Sequence, residues 1–398
     1  MLTPIERELM YGAQNYSPLP VTLVKGEGVY VWDDTGKRYM DMMSAYSAVS
    51  HGHCHPKLVK VLHEQAQTLT IVSRAFYTDK LGIFLEYMCK LTGFDQALPM
   101  NTGAEAVETA IKAVRKWAYT IKKVPTDKAE VIACEGNFHG RTIAIIGLST
   151  IPQYKSGFGP FPSGLKTIPY DDPAALEAAI TPNTAAFLVE PIKGEGGIVV
   201  PKEGYLKACA DICKKHNVLM ICDEIQTGLG RSGKLFAYEY DNFKPDGLIL
   251  GKALGGGLLP VSLFLTRKEI MDVFTPGDHG STFGGNPLAA TVAKTAVELI
   301  LDERLIENAM VQGEYFRAQL NALQSPSIKE VRGKGLLIGM EIQTKHSAHD
   351  ICLEFLKYGL LTKETHKNII RFAPPLIITT EQIDFAVEVI KTVLAKIN

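Results

Sequence analysis

Residues 248–257 read LILGKALGGG, an apolar run that ends in a lysine and three glycines. A short apolar run is typical of a buried β-strand, yet a buried strand gains nothing from a cation at its tip. Glycines have no side chains to pack, so they leave room for a ring or a substrate. The stretch therefore predicts that the amine of Lys252 faces an open site at a strand end. A surface lysine before a flexible loop is the simpler alternative.

Similar apolar runs lie on both sides of this stretch and alternate with helical patterns. They are EVIACEG (130–136), TAAFLVEP (184–191), NVLMICDE (217–224) and PVSLFLT (260–266). Continuous apolar strands separated by helices are typical of a parallel sheet that is covered on both faces. We therefore predict an α/β fold, with a large domain built on a mainly parallel sheet and a smaller α+β domain after it.

Composition and charge exclude several classes of function. The 398 residues carry a formal net charge of −1 and are 46% hydrophobic, as in an ordinary globular protein. This balance provides no long-range field for nucleic acid or an anionic membrane, so neither partner is expected. No apolar run approaches the length that spans a bilayer, and the N-terminal MLTPIERELM lacks a signal-peptide core. A cytoplasmic location is expected.

Two clusters have the residue types of a metal site but not its spacing. HGHCHP (51–56) brings three histidines and Cys54 together, and Cys209 and Cys213 lie four residues apart in a helical pattern. Neither cluster has a complementary ligand pair elsewhere in the sequence, so no metal is expected. The seven cysteines are scattered and are expected to stay reduced.

Two carboxylates, Asp223 and Glu224, directly follow the apolar run VLMIC (218–222). The carboxyl ends of parallel strands form the edge at which α/β proteins bind ligands, and Lys252 ends another such strand. A carboxylate that is buried there needs a cationic partner, although Asp223 could instead cap a following helix in EIQTG (224–228). A lysine that is partly removed from water has a lowered pKa and can form a Schiff base.

A helix start provides the third element of the predicted site. In NTGAEAVETAIK (101–112), Thr102 occupies the N-cap position and Glu105 the reciprocal position of a capping box. Gly103 and Ala104 leave the first backbone amides accessible at the positive end of the helix dipole, which suits a phosphate. An ordinary helix start is the alternative. Together, the lysine, the carboxylate and this helix start predict a site for pyridoxal 5′-phosphate.

With these elements in place, the chain resembles the class III aminotransferases. The resemblance covers nearly the whole chain and rests on MNTGAEAVETAIK, NFHGRT, VLMICDEIQTGLGRSG, LILGKALGGG and HGSTFGGNPLA, in that order. It implies the aspartate aminotransferase-like (fold-type I) architecture and a homodimer with active sites at the subunit interface. It also implies three parts: residues 1–45, which pack with the small domain; residues 46–292, the large cofactor-binding domain; and residues 293–398, the C-terminal small domain.

The resemblance also implies the contacts of the cofactor. Lys252 would hold its aldehyde as a Schiff base, Asp223 would pair with the pyridine nitrogen, and Gln226 with the ring hydroxyl. Phe138 would stack on the ring, and Gly103 and Ala104 would hold the phosphate. The remaining cofactor-binding residues would be Thr102, His139, Glu190 and, at the phosphate of the neighbouring subunit's cofactor, Ser281 and Thr282.

Three further stretches resemble the ornithine δ-aminotransferases of this family: AQNYSPLP (13–20), MSAYSAVSHGHCHP (43–56) and SRAFYTD (73–79). Acetylornithine aminotransferases usually lack the tyrosines of the first two. By this resemblance Tyr16 and Tyr46 would bind the α-amino acid end of L-ornithine. Arg141 would bind its carboxylate in a bidentate manner, which turns the δ-amine towards the cofactor.

A second arginine, Arg371, would receive the α-carboxylate of 2-oxoglutarate. Glu195 would mask Arg371 by ion pairing while ornithine is bound. Lys193 replaces the glutamine that is more usual in this motif, and an extra cation two residues from Glu195 could weaken the masking.

The implied reaction transfers the δ-amino group of L-ornithine to 2-oxoglutarate in a ping-pong cycle. Its products are L-glutamate and glutamate 5-semialdehyde, which cyclises to pyrroline-5-carboxylate. An acetylornithine or 4-aminobutyrate aminotransferase, with the same cofactor site and a different substrate pocket, is the nearest alternative. A catalytically silent protein of this fold that acts as a binding module is a more distant one.

Overall fold

The computed structural model describes residues 2–397. Its α-helices are α1 (Pro4–Tyr11), α2 (Ser44–Ser47), α3 (Pro56–Thr68), α4 (Asp79–Thr92), α5 (Gly103–Thr120), α6 (Ile143–Ile146), α7 (Pro152–Lys155), α8 (Pro173–Ala179), α9 (Tyr205–Lys215), α10 (Lys268–Met271), α11 (Pro287–Asp302), α12 (Leu305–Ala322), α13 (Ala348–Lys357) and α14 (Thr380–Ile397). Its strands are β1 (Leu23–Glu27), β2 (Tyr30–Asp33), β3 (Arg38–Asp41), β4 (Gln96–Met100), β5 (Glu130–Cys134), β6 (Leu165–Ile168), β7 (Thr184–Val189), β8 (Leu219–Asp223), β9 (Gly247–Leu250), β10 (Ser262–Thr266), β11 (Ile328–Lys334), β12 (Leu337–Ile342), β13 (Leu360–Leu361), β14 (Lys363–Thr365) and β15 (Ile369–Phe372).

The central sheet has seven strands in the order β4-β10-β9-β8-β7-β5-β6. Strands β5 to β9 pair in parallel, whereas β10 is antiparallel to both β9 and β4. The connection between β9 and β10 is shorter than the crossover that a parallel pair needs, which explains the reversal of β10. The predicted α/β fold with a mainly parallel sheet is therefore confirmed.

The sheet is buried on both faces, as its continuous apolar strands predict. Every residue of β7, β8, β9 and β10 is buried. Neighbouring residues of one strand enter different cores: Ile221 of β8 belongs to the cluster beneath α5, and Cys222 to the main core. Because side chains alternate along a strand, this double burial fixes the register of the sheet and the positions of its strand ends.

Two smaller sheets complete the fold. The predicted hairpin is formed by β2 and β3, which are antiparallel, and Asp33 stabilises its turn by accepting hydrogen bonds from the amides of Thr35 and Lys37. β3 also pairs in parallel with β13. The last sheet has the order β11-β12-β15-β14. Within residues 2–397, no helix combines the length and the hydrophobicity needed to cross a membrane.

Candidate active site

A cavity lies at the carboxyl ends of the central strands, beside the start of α5. Nine residues that the sequence predicts for the site line it: Gly103, Ala104, Phe138, His139, Glu190, Glu195, Asp223, Gln226 and Lys252. Gly140, Ile225 and Thr227 line it as well and were not predicted. The strand ends thus bring together residues that are far apart in the sequence.

A buried acid–base group forms one wall of this cavity. Asp223 ends β8, and its Oδ2 lies 2.7 Å from Nδ1 of the fully buried His139. Burial alone would lower the pKa of His139, but the hydrogen bond to Asp223 and the negative charges of Asp223 and Glu190 together outweigh burial, and the pKa is raised. A raised pKa favours an imidazolium, which is the cation that the buried Asp223 needs. The alternative, a helix cap, is wrong, because residues 225–230 form turns and not a helix; Asp223 Oδ1 instead accepts a hydrogen bond from the amide of Ile225 at 3.1 Å.

Glu190 is a second buried carboxyl group in this wall. It accepts hydrogen bonds from the amides of Phe138, at 2.9 Å, and Gly194, at 3.3 Å. Burial raises the pKa of Glu190 to about 7, although the nearby His139 opposes that rise. Glu190 therefore ties the loop that carries Phe138 to the loop that carries Glu195.

Lys252 enters the cavity immediately after β9. Among residues 2–397 its amine has no hydrogen-bond or ion-pair partner. Burial lowers the pKa of Lys252, and the charge of Glu195 opposes that shift in part. An amine with a lowered pKa is uncharged, and therefore nucleophilic, in a larger fraction of the molecules at neutral pH.

The start of α5 has the predicted capping box. Thr102 Oγ1 accepts a hydrogen bond from the amide of Glu105 at 3.2 Å, and Glu105 Oε2 accepts one from the amide of Thr102 at 2.6 Å. The next two amides, of Gly103 and Ala104, have no partner within the helix and lie at the cavity. A Cβ atom on Gly103 would come within 2.8 Å of Ile225 Cδ1, so a larger residue would collide with the cavity wall.

Glu195 and Arg371, the residues predicted to form the substrate switch in which Glu195 masks Arg371, are in contact. Arg371 of β15 is 1% exposed and forms an ion pair with Glu195, and Gln226 Nε2 donates to Glu195 Oε1 at 3.2 Å. Burial alone would raise the pKa of Glu195, but the charge of Arg371, followed by that of Lys252, keeps it below its ordinary value. The guanidinium of Arg371 also lies 4.6 Å from the ring centre of Tyr46.

Lys193 does not point towards this ion pair. Its amine donates to the backbone carbonyl of Glu135 at 3.2 Å and lies 4.7 Å from the ring centre of Tyr170. Lys193 forms no ion pair with Glu195. The position of the side chain therefore removes the reason to expect that it weakens the masking of Arg371.

Other predicted residues lie outside the cavity. Arg141 is exposed, and its guanidinium stacks 3.5 Å from the ring centre of Tyr154 and 5.4 Å from that of Phe138. Tyr16 is exposed and lies close enough to act electrostatically on the hydroxyl of Tyr46. Arg141 and Tyr16, both predicted for the substrate, therefore do not line the cavity, whereas Glu195 of the predicted substrate set does.

Ser281 and Thr282 do not reach the cavity of their own chain. Ser281 Oγ accepts hydrogen bonds from Asn101 Nδ2, at 2.8 Å, and from the amide of Gly284, at 3.0 Å, while Thr282 is exposed. Their predicted role at the cofactor of a neighbouring subunit stays a prediction.

One interpretation based on local sequence needs correction. The glycines at 255–257 do not line the cavity: a Cβ atom on Gly256 would meet Leu58 at 2.9 Å, and one on Gly257 would meet the backbone of Val49 at 3.4 Å. Gly256 and Gly257 adopt positive φ angles of 62° and 72° and pack against neighbouring segments, so they do not provide space for a ligand. The three histidines of HGHCHP contact different partners. His51 lies 2.8 Å from the carbonyl oxygen of Ala296, His53 lies 2.8 Å from Asp41, and His55 lies 3.3 Å from Glu303.

Several contacts have no signal in the sequence. Tyr154 lies beneath Arg141, and Thr365 Oγ1 donates to the carbonyl of Glu195 at 2.8 Å. Gly194 is required because a Cβ atom there would overlap Gln226 Oε1, at 1.4 Å. The need for glycine at position 194 cannot be seen in the sequence, because it comes from the side chain of Gln226 in the turn after β8.

Comparisons with known proteins agree with this fold. A protein of Geobacillus sp. (strain WCH70) named ornithine aminotransferase is 58% identical over 385 residues, which are 97% of this chain and 96% of that protein. The ornithine aminotransferase structure from Toxoplasma gondii has a TM-score of 0.97 at 45% identity and covers 99% of this chain and 94% of its own. An acetylornithine aminotransferase structure from Elizabethkingia anophelis has a TM-score of 0.89 at 49% identity and covers 98% of both chains.

The family model described as aminotransferase class-III matches residues 11–394, nearly the whole chain. That span includes the strand ends that carry Asp223 and Lys252 as well as the strand that carries Arg371. The fold and the family predicted from the motifs are thereby confirmed, and the chain belongs to the class-III aminotransferases.

Proposed function

We propose that this aminotransferase transfers the δ-amino group of L-ornithine to 2-oxoglutarate, with pyridoxal 5′-phosphate as its cofactor. One observation carries the proposal. The amine of Lys252, which has no partner among residues 2–397, shares a cavity with the His139–Asp223 pair and with Glu195, the ion-pair partner of Arg371. The amine of Lys252 and the His139–Asp223 pair suit the cofactor, and Glu195 with Arg371 suits two substrates of different charge.

The cavity fits this cofactor on its own chemistry. Asp223 and His139 would hold the pyridine nitrogen, Gln226 the ring hydroxyl, and the amides of Gly103 and Ala104 the phosphate. Phe138 would stack on the ring, while Thr102, Glu190 and, from a neighbouring subunit, Ser281 and Thr282 would complete the contacts. When bound, pyridoxal phosphate takes up the electrons that remain when a proton leaves the carbon next to the transferred amine.

The side chains of this protein would perform the other steps. Asp223, kept ionised by His139, would keep the pyridine nitrogen protonated. Lys252 would take a proton from Cδ of ornithine and return it on the cofactor side, which its lowered pKa favours. Arg141 would bind the carboxylate of ornithine.

The Glu195–Arg371 pair would distinguish the two substrates. While ornithine is bound, Glu195 neutralises Arg371, so no anion is needed there. When 2-oxoglutarate enters, its carboxylate replaces Glu195 on the buried guanidinium. Tyr16 and Tyr46 would contact the amino acid end of ornithine at the rim.

The assembly and the domain division follow as part of the same proposal. A homodimer is supported by the exposed aromatic side chains of Phe76, Tyr77 and Phe283, the last of which adjoins Thr282. A division into residues 1–45, 46–292 and 293–398 is supported by the pairing of β3 with β13, which joins the first part to the third. Seven free cysteines are consistent with the cytoplasm.

A substrate comparison tests the proposal. The purified protein, loaded with pyridoxal phosphate, is given 2-oxoglutarate and either L-ornithine, N-acetylornithine or 4-aminobutyrate. Glutamate is assayed, and pyrroline-5-carboxylate is trapped with o-aminobenzaldehyde. We expect pyrroline-5-carboxylate and glutamate from ornithine. Faster glutamate formation from N-acetylornithine or 4-aminobutyrate would overturn the substrate assignment, and no glutamate from any donor would overturn the reaction.

A further inference from the structure

The short helix α2 is a left-handed turn. Its four residues have positive φ angles: 40° at Ser44, 48° at Ala45, 59° at Tyr46 and 78° at Ser47. None of them is a glycine, and consecutive left-handed residues with side chains are disfavoured by contacts between Cβ and the backbone. Such a conformation persists only where the surrounding structure imposes it, and it often accompanies function.

A buried arginine holds both ends of this turn. Arg231 is fully buried, and no carboxylate within residues 2–397 forms an ion pair with it. Its Nη2 donates to Ser44 Oγ and to Ser50 Oγ, each at 3.2 Å. Ser50 Oγ in turn donates to the carbonyl of Ser47 at 3.1 Å. The guanidinium thus contacts the first residue of the turn directly and the last through one hydroxyl.

The same guanidinium fixes the turn to the C-terminal part of the chain. Arg231 Nη1 donates to the carbonyls of Leu336, at 3.0 Å, and Pro374, at 2.5 Å. Ser44 Oγ donates to the carbonyl of Ala373 at 2.6 Å. Ala373 and Pro374 directly follow β15, the strand that carries Arg371. The turn and Arg371 are therefore held in one hydrogen-bonded unit.

The turn places Tyr46 beside Arg371 and Glu195, the residues of the substrate switch. The ring of Tyr46 lies 4.6 Å from the guanidinium of Arg371, and its carbonyl accepts a hydrogen bond from Gln226 Nε2 at 3.4 Å. Gln226 also donates to Glu195, the partner of Arg371. A right-handed or extended backbone at Tyr46 would direct the ring elsewhere, because the side-chain direction depends on φ and ψ.

We propose that Arg231 is a positioning residue for substrate choice. By clamping the left-handed turn, it holds Tyr46 against Arg371 and so favours ornithine over dicarboxylic substrates at this switch. The inference rests on the proposed function, because it assigns a cause to the ornithine preference. Arg231 does not line the cavity and acts through the turn that carries Tyr46.

Arg231→Lys tests the clamp. Lysine keeps the charge but cannot form the planar fork that reaches two hydroxyls and two carbonyls at once. With the cofactor-loaded variant, we expect the KM for ornithine to rise about tenfold or more, because the contact residue is misplaced. The KM for 2-oxoglutarate should stay unchanged or fall, since Arg371 loses its aromatic cover. Equal changes in both KM values, or no change in either, would overturn the proposal.

Ala45→Gly is the matched variant, because Ala45 is exposed and its substitution does not threaten folding. Glycine adopts positive φ without strain, so thermal stability should stay unchanged or rise. Glycine also permits other backbone conformations, so Tyr46 is held less firmly and the KM for ornithine should rise several-fold. A turn with only a structural role would show the stability change without the KM change, and that result would refute the proposal.

Amide hydrogen exchange separates this inference from the proposed function. The amides of Met43 and Ser44 both donate to Asp41 Oδ1 at 2.9 Å, just before and at the start of the turn. In the cofactor-loaded Arg231→Lys variant, exchange at residues 43–47 should be faster than in the unmodified protein. Unchanged exchange would refute the clamp whatever the substrate is. Absence of ornithine turnover in the unmodified protein would refute the proposed function but not the clamp.

Discussion

The switch between Glu195 and Arg371 makes a prediction with a definite sign. Glu195→Gln keeps the size of the side chain and removes its charge, so Arg371 loses its ion-pair partner inside the protein. A carboxylate of 2-oxoglutarate then no longer has to displace Glu195, whereas cationic ornithine faces an unmasked guanidinium. We expect kcat/KM to rise for 2-oxoglutarate and to fall for ornithine.

The size of this change follows from the burial of the pair. Arg371 is 1% exposed and the side chain of Glu195 is 23% exposed, so solvent screens the interaction only in part. A hydrogen bond between charged groups in such a site contributes about 1.5 to 3 kcal/mol. The ratio of the two kcat/KM values should therefore change about 10- to 150-fold. Each half-reaction is measured separately, with the cofactor-loaded protein and ornithine, or with the aminated form and 2-oxoglutarate.

Two variants serve as controls. Lys193→Gln changes a charge two residues away, but the amine of Lys193 bonds to the carbonyl of Glu135, so the ratio should stay within about twofold. Glu195→Asp keeps the charge and should give a smaller change than Glu195→Gln. An unchanged ratio in Glu195→Gln, or a lower kcat/KM for 2-oxoglutarate, would refute the masking role of Glu195.

Three further predictions concern other parts of the molecule. Lys252→Ala should abolish transamination and the visible absorbance of covalently held cofactor, and full activity in an activity assay would exclude Lys252 as the attachment point. Burial raises the pKa of Glu224 from 4.5 to about 7, so the folded state loses stability as pH rises between these values. The free energy of unfolding of Glu224→Gln, measured with denaturant, should therefore rise by up to ~3 kcal/mol relative to that of the unmodified protein as the pH is raised from 5 to 8. An equal difference between the two proteins at both pH values would contradict this. Tyr154→Ala removes the ring beneath Arg141 and should raise the KM for ornithine about two- to fivefold, whereas Tyr154→Phe should leave it unchanged.

The cofactor end of the site was predictable from the sequence because it follows from strand ends. Asp223 and Lys252 each end a continuous apolar run, and the parallel pairing of β8 with β9 places both ends on one edge of the sheet. The capping box at Thr102 was equally visible, since its two members lie three residues apart. Apolar runs and capping boxes involve residues that are close in sequence, so they predict strand ends and helix starts without knowledge of distant contacts.

What the sequence did not reveal depends on contacts between distant segments. The bond between His139 and Asp223 joins residues 84 positions apart, and no periodicity indicates it. SAYS (44–47) contains neither glycine nor asparagine, so nothing in it predicts a left-handed turn. Its first residue accepts a hydrogen bond from Arg231, which is almost two hundred residues away in sequence. The glycines after Lys252 were misread for the same reason, because their neighbours come from elsewhere in the chain.

The parallel pairing of β3 with β13 has a consequence for synthesis of the chain. Met40 is aligned with Leu360, so about 320 residues must emerge from the ribosome before the first sheet gains its last strand. At roughly 5 to 20 residues per second this takes about 15 to 65 seconds. During that time β3 presents an unpaired edge, the kind of surface that invites pairing with another nascent chain. The enzyme's early segment is therefore exposed to misassembly until translation is almost complete.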